Sequence, residues 1–186
     1  EGKWDESALE HYRDYIKQLK KRGLEPFMNI WHWTVPLWFE EKGGFTKGSN
    51  LKYFCRFVQK TADEYGSELS FVITLNEPNV YTTFGFVTGE WPPQEKNPLK
   101  ATFIYLNLVR AHKKAYKILK KSNPHMQVGI ASQLANIQAN RPHNVIDQVS
   151  SKIMRYLCDC WFLRRIRKQQ DFVGFNNYFT DYYKDV

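Results

Sequence analysis

Cysteine is scarce in this chain of 186 residues: there are only three, and their spacing fits neither a disulfide framework nor a zinc site. No apolar run approaches the roughly 20 residues that span a bilayer, and the first residues lack the basic-then-apolar order of a secretory signal. No glycine-rich phosphate fingerprint follows any predicted strand. These absences predict a cytoplasmic protein with reduced thiols, no metal, no cofactor and no membrane partner.

Positive charge is in excess, with 27 Lys and Arg residues against 19 Asp and Glu residues and a net charge of +8. The basic residues are spread through predicted helices with carboxylates among them, and the cluster at 164–168 lies in no recognition motif. We interpret the charge as a solvated surface and expect no nucleic-acid partner.

Hydrophobic periodicity predicts alternating helices and strands along the whole chain. Apolar residues recur at spacings of three and four in the predicted helices, at about 6–22, 50–65, 100–121 and 144–167. Short apolar runs follow them, at 27–31, 71–75, 127–131 and 171–175, as in parallel strands covered on both faces. We expect residues 1–186 to form one α/β domain with a parallel sheet, either a doubly wound open sheet or part of a (β/α)8 barrel.

Polar and aromatic residues gather just after these apolar runs. They are His32 and Trp33, Asn76 and Glu77, Asn136 and Gln138, and Asn176, Asn177 and Tyr178. In a barrel all of them would lie at one mouth, where active sites of this fold are built. This placement favours a partial TIM (β/α)8 barrel with about four parallel strands and flanking helices.

Glu77 is the residue best placed for catalysis, since it follows an apolar strand and precedes Pro78, whose fixed φ helps to end that strand. A carboxyl group at an apolar rim has its neutral form favoured by desolvation, so it can keep a proton and donate it to a departing oxygen. A general acid in glycoside cleavage must do this. Taken alone, Asn-Glu-Pro is equally well explained as a turn that ends a strand.

Three separated segments strengthen the catalytic interpretation. The segment that ends with Glu77 and Pro78 reads Ile-Thr-Leu-Asn-Glu-Pro, and residues 31–38 read Trp-His-Trp-Thr-Val-Pro-Leu-Trp. Residues 171–178 read Asp-Phe-Val-Gly-Phe-Asn-Asn-Tyr. In this order along the chain, the three resemble the acid/base, third-strand and sixth-strand segments of glycoside hydrolase family 1. The resemblance implies a retaining β-glycosidase for β-glucosides or β-galactosides, with Glu77 as its acid/base.

The same resemblance implies roles for five neighbours of Glu77. His32 and Trp33 would contact the hydroxyls and the face of the sugar, and Asn76 would bond its 2-hydroxyl. Tyr178 corresponds to the family tyrosine that bonds the nucleophile, and Asn176 would lie beside it. The partner implied is a β-linked sugar.

The family's nucleophile has no recognisable counterpart among these residues, which correspond to about strands three to six of eight. A retaining mechanism needs a second carboxylate about 5 Å from the first, and Asp181 is the nearest substitute. We therefore expect weak or no turnover by the isolated chain, whose open edges would require self-association or a complementing barrel half. The alternative function is a non-hydrolytic carbohydrate-binding or scaffold protein.

Overall fold

A four-stranded parallel sheet forms the centre of the protein. The computed structural model describes residues 2–178 and 180–183, apart from the side chains of Asp181 and Tyr183. The strands are β1 (Phe27–Asn29), β2 (Phe71–Asn76), β3 (Gln127–Gln133) and β5 (Phe172–Asn176), and they lie side by side in chain order. The expected four parallel strands in sequence order are therefore present.

Helices connect successive strands of this sheet along the chain. The longer ones are α1 (Glu6–Lys21), α3 (Leu51–Tyr65), α5 (Pro98–Ser122), α6 (Val145–Arg155) and α7 (Trp161–Ile166). Their starts follow ordinary capping chemistry: Asp5 accepts from Ala8 N–H at α1, and Asn97 accepts from Lys100 N–H at α5. Two short helices follow strands, α2 (Leu37–Glu41) and α4 (Pro78–Thr82). None of the described helices is both long and apolar enough to cross a membrane.

The face of the sheet that the helices cover holds the core. Val72, Val128 and Ile130 point toward the helices and are fully buried. Thr74 lies on the same face and contacts His112 of α5, whose other ring nitrogen is 2.6 Å from the carbonyl oxygen of Gln169. This imidazole therefore ties β2 and α5 to the loop before β5.

The opposite face of the sheet is only partly covered. Phe27 and Phe71 stack there with ring centroids 4.3 Å apart, and Phe172 packs edge-on against both. Gly129 lies beside Phe172, and a Cβ at Gly129 would be 2.3 Å from the Phe172 carbonyl oxygen. The ring of Phe27 remains 55% exposed. In a closed barrel this face would be the interior.

The structure corrects three expectations. β1 ends at Asn29 rather than residue 31, and it is not covered on both faces, since Phe27 is exposed. The helix at 144–167 is divided by a π-helical turn at Tyr156–Cys160. A second sheet, of β4 (Asn136–Ala139) and β6 (Thr180–Tyr183), was not predicted from the sequence.

Candidate active site

Glu77 lies at the carboxyl end of β2, where the chain leaves the sheet. Its amide donates to the carbonyl oxygen of Ala131 on β3 at 2.7 Å, and Pro78 begins α4. The backbone of Glu77 is left-handed, with φ 44° and ψ 60°, a conformation that costs a non-glycine residue about 1–3 kcal/mol. The side chain is 3% exposed. The fold thus holds one carboxyl group in a strained, buried position at the mouth of the sheet.

Asn176, the last residue of β5, and Tyr178, two residues later, donate to one oxygen of this carboxyl group. Asn176 Nδ2 is 2.7 Å from Glu77 Oε1, and the Tyr178 hydroxyl is 3.4 Å from the same atom. Among the described residues, Oε2 has no hydrogen-bond partner. The Glu77 carboxylate raises the pKa of Tyr178, since it disfavours a second negative charge nearby.

A chain of polar side chains continues from Asn176 across the mouth. Asn176 Nδ2 is 3.5 Å from Asn76 Oδ1, and Asn76 Nδ2 is 3.2 Å from His32 Nε2. These residues come from β5, β2 and the segment after β1, so the register of three parallel strands brings them together. Asn76 is buried, whereas His32 is exposed.

Trp33 forms an aromatic wall beside this chain. Its indole N–H donates to the backbone oxygen of Asn76 at 2.9 Å, and its backbone is also left-handed, with φ 73°. The ring packs edge-on against His32 at 4.8 Å, and Trp91 lies 4.8 Å away on the loop after α4. Phe84 stacks on Trp91 in turn. The aromatic face next to Glu77 thus contains more residues than the motifs alone indicated.

The six residues to which the resemblance gives roles lie in one connected group, although one contact differs from what the resemblance implied. Tyr178 contacts Glu77 here, whereas the resemblance pairs it with the nucleophile. Asp181 lies on β6, and its side chain is outside the described part of the protein. The sequence reasoning also missed Asn29, whose Nδ2 is 3.5 Å from His32 Nδ1. An amide inside a run of apolar strand residues was the available signal.

No group of three or more His, Cys, Asp or Glu side chains that could hold a metal occurs among residues 2–178 and 180–183. The functional groups at the site are a carboxyl group, amides, an imidazole and aromatic rings. Groups of these kinds can bind the hydroxyls and the faces of sugars and can transfer a proton.

Parallel strands alternating with helices, with a buried carboxyl group framed by amides at the strands' carboxyl ends, are the arrangement of a barrel-type glycoside hydrolase. The family comparison agrees, since residues 1–166 match the model of glycosyl hydrolase family 1. The chain belongs to that family. The resemblance seen in the sequence is thereby confirmed.

The proteins similar to this chain are longer than the part of them that it matches. A 1,4-beta-D-glucan glucohydrolase of Thermotoga neapolitana is 30% identical over 129 residues, which cover 69% of this chain and 30% of the relative. Beta-glucosidase A of Acetivibrio thermocellus is 23% identical over 98% of this chain and 47% of its own length. The solved beta-glycosidase from Pyrococcus horikoshii superimposes with a TM-score of 0.91 at 32% identity, over 97% of this chain and 45% of that one. The partial barrel is thereby confirmed, and this chain spans less than half of each of these proteins.

Proposed function

We propose that this chain carries the acid/base half of a retaining β-glycosidase for β-glucosides or β-galactosides. The observation that supports this most directly is the carboxyl group of Glu77, which is buried at the mouth with Oε1 held by Asn176. Oε2 has no partner among the described residues, so it is the oxygen that can carry the transferable proton. In this proposal residues 1–186 form one domain.

The reaction assigns a separate task to each oxygen. Oε2 of Glu77 gives its proton to the glycosidic oxygen as the bond to the anomeric carbon breaks, while a second carboxylate forms a bond to that carbon from the opposite face. Water then bonds to the anomeric carbon as the bond to the second carboxylate breaks, Glu77 takes one of the water's protons as general base, and the sugar leaves with its configuration retained. In this proposal the second carboxylate is supplied by a complementing barrel half.

The neighbours of Glu77 bind and orient the sugar in this proposal. Asn76 and His32 lie at the mouth and form hydrogen bonds with the sugar hydroxyls. The indole face of Trp33 packs against the C–H surface of the sugar. Asn176 and Tyr178 act through Glu77, because both donate to its Oε1. Hydrogen bonds to the sugar 2-hydroxyl strengthen in the transition state, so a hydrogen bond from Asn76 to this hydroxyl accelerates the reaction.

The partly covered face of the sheet calls for a partner. Phe27 on edge strand β1 is 55% exposed on this face, and Phe175 on edge strand β5 is 64% exposed on the opposite face. We expect the isolated chain to self-associate, or to bind a complementing barrel half supplied on the same or another polypeptide. Sedimentation that shows a compact monomer at all concentrations would contradict self-association.

The test supplies the missing strands, by fusion or co-expression with the remaining half of a family member, and then replaces Glu77 by Gln. Turnover of an alkyl β-glucoside should fall by about 10²–10⁴-fold, since its leaving group needs a proton. An activated aryl β-glucoside should lose much less, because its leaving group departs unprotonated. Glu25→Gln makes the same chemical change at an exposed position outside the site and should alter neither rate.

Equal losses for the two substrates would remove Glu77 from the acid/base role. Reconstituted protein that binds glucosides by calorimetry but turns over neither substrate would instead favour the non-hydrolytic carbohydrate-binding function.

A further inference from the structure

The hydrogen bonds at the mouth have a direction that can be derived from Glu77 outward. Whether Glu77 is ionised or carries its proton on Oε2, Oε1 can only accept, so the Asn176 atom 2.7 Å away is an N–H donor. That amide group has a second hydrogen, and Asn76 lies 3.5 Å away. The Asn76 atom that faces it must therefore be an acceptor, which fixes Oδ1 toward Asn176 and Nδ2 toward His32.

The orientation of Asn76 determines the protonation of His32. Asn76 Nδ2 is a donor only, and it lies 3.2 Å from His32 Nε2. Nε2 must then present its lone pair, and in a neutral imidazole the single proton lies on Nδ1. His32 is thus left with a donor that points toward β1.

Asn29 on β1 is the group that faces this donor. An amide atom of Asn29 is 3.5 Å from His32 Nδ1, and the amide oxygen of Asn29 is buried with no hydrogen-bond partner. A buried acceptor without a donor, beside a ring N–H without an acceptor, is the sign of an amide turned by 180°. Turning the amide replaces the donor that faces Nδ1–H by the oxygen, which then accepts from it, and puts the NH2 group where the oxygen had no partner.

From this order we infer that Asn29 is a positioning residue that holds His32 in the Nδ1–H tautomer, so that Nε2 acts as a hydrogen-bond acceptor at the mouth. The part of the inference that concerns substrate rests on the proposed function. Nε2 has one lone pair, so a sugar hydroxyl that donates to it takes the place of Asn76 Nδ2, which can then donate to the oxygen of the same hydroxyl. A fluorine in place of that hydroxyl cannot donate, so it is rejected at this position.

Nitrogen NMR on the chain reads the tautomer directly. Long-range ¹⁵N–¹H spectra at about pH 8.5, where an unperturbed imidazole is neutral, separate a protonated ring nitrogen from one with a lone pair. His112 is an internal reference of the opposite kind, since its Nε2 must donate to the Gln169 carbonyl oxygen. We expect the protonated nitrogen to be Nδ1 in His32 and Nε2 in His112.

Two replacements of Asn29 separate positioning from folding. Asn29→Leu removes the acceptor and should move His32 toward the Nε2–H form, while His112 is unchanged. Asn29→Asp keeps an acceptor for Nδ1–H and should retain the wild-type pattern at His32. An Nε2–H signal for His32 in the wild-type chain, or the same tautomer in both variants, would overturn the inference.

This experiment contains no sugar and no turnover, so its failure would leave the proposed function untouched. Equally, an inactive reconstituted enzyme with the expected tautomer would count against the proposed function alone.

Discussion

Acidification should destabilise this protein through one buried imidazole, His112 of α5. Its Nδ1 is 2.6 Å from Thr74 Oγ1 and its Nε2 is 2.6 Å from the Gln169 carbonyl oxygen. A carbonyl oxygen only accepts, so Nε2 carries the proton and Nδ1 accepts from the threonine hydroxyl. A second proton would replace that acceptor by a donor and would put a charge in the core. Burial therefore lowers the pKa of His112 to about 4.

The sign and size of the effect follow from linkage. The unfolded chain binds this proton with a pKa of about 6.5, and the folded chain does so only near 4. The contribution to stability is therefore fully present above about pH 6.5 and is lost as the pH falls toward 4. Between these limits it amounts to about 3 kcal/mol of unfolding free energy.

Urea unfolding followed by tryptophan fluorescence between about pH 7.5 and pH 4 measures this contribution. His112→Gln cannot titrate, so its unfolding free energy should fall by about 3 kcal/mol less than that of the wild type over this range. His125→Gln replaces an exposed histidine and should follow the wild-type curve. Parallel curves for the wild type and His112→Gln would refute the reasoning.

Two further predictions concern the sheet. Gly129→Ala should lower the free energy of unfolding by about 3 kcal/mol, because its Cβ would lie 2.3 Å from the Phe172 carbonyl oxygen. Gly174→Ala should change this free energy by less than about 1 kcal/mol, because the atom nearest to its Cβ would be 3.6 Å away. Asp171→Asn should cost about 1–3 kcal/mol at neutral pH. Burial alone would raise the pKa of Asp171, but hydrogen bonds, led by the one from Val128 N–H, lower it. The difference in unfolding free energy between the wild type and Asp171→Asn should therefore be full above about pH 4 and shrink below it. Urea titrations of all three variants check both, and equal losses for the two glycine variants would contradict the close-approach argument.

The main sheet could be predicted because each of its strands is a short apolar run between a helix with 3.6-residue periodicity and a polar segment. The second sheet could not be predicted. Asn136–Ala139 alternates polar and apolar residues over only four positions, and it becomes a strand by pairing with Thr180–Tyr183, a distant segment. The π-helical turn at Tyr156–Cys160 also lacks a marker, since no proline or glycine interrupts that helix.

The site could be predicted as a set of residues but not as an arrangement. The motifs indicated Glu77, Asn76 and His32 because polar residues after parallel strands share one edge. They did not show that Tyr178 would reach Glu77, since that contact depends on how the chain leaves β5. Asn29 was hidden because one amide does not disturb an apolar strand pattern.

In the proposed enzyme, the left-handed backbone at Glu77 sets thermal stability against activity. At Glu77, glycine or asparagine would relieve this strain, since these residues tolerate positive φ, whereas at Trp33 the loss of the packed indole would outweigh the relief. Laboratory selection for thermal survival alone should therefore drive Glu77 toward those residues and discard its carboxyl group. Selection of the reconstituted enzyme for the proposed sugar cleavage should retain that group and gather stabilising changes elsewhere, so the two regimes applied to one library would diverge first at this codon.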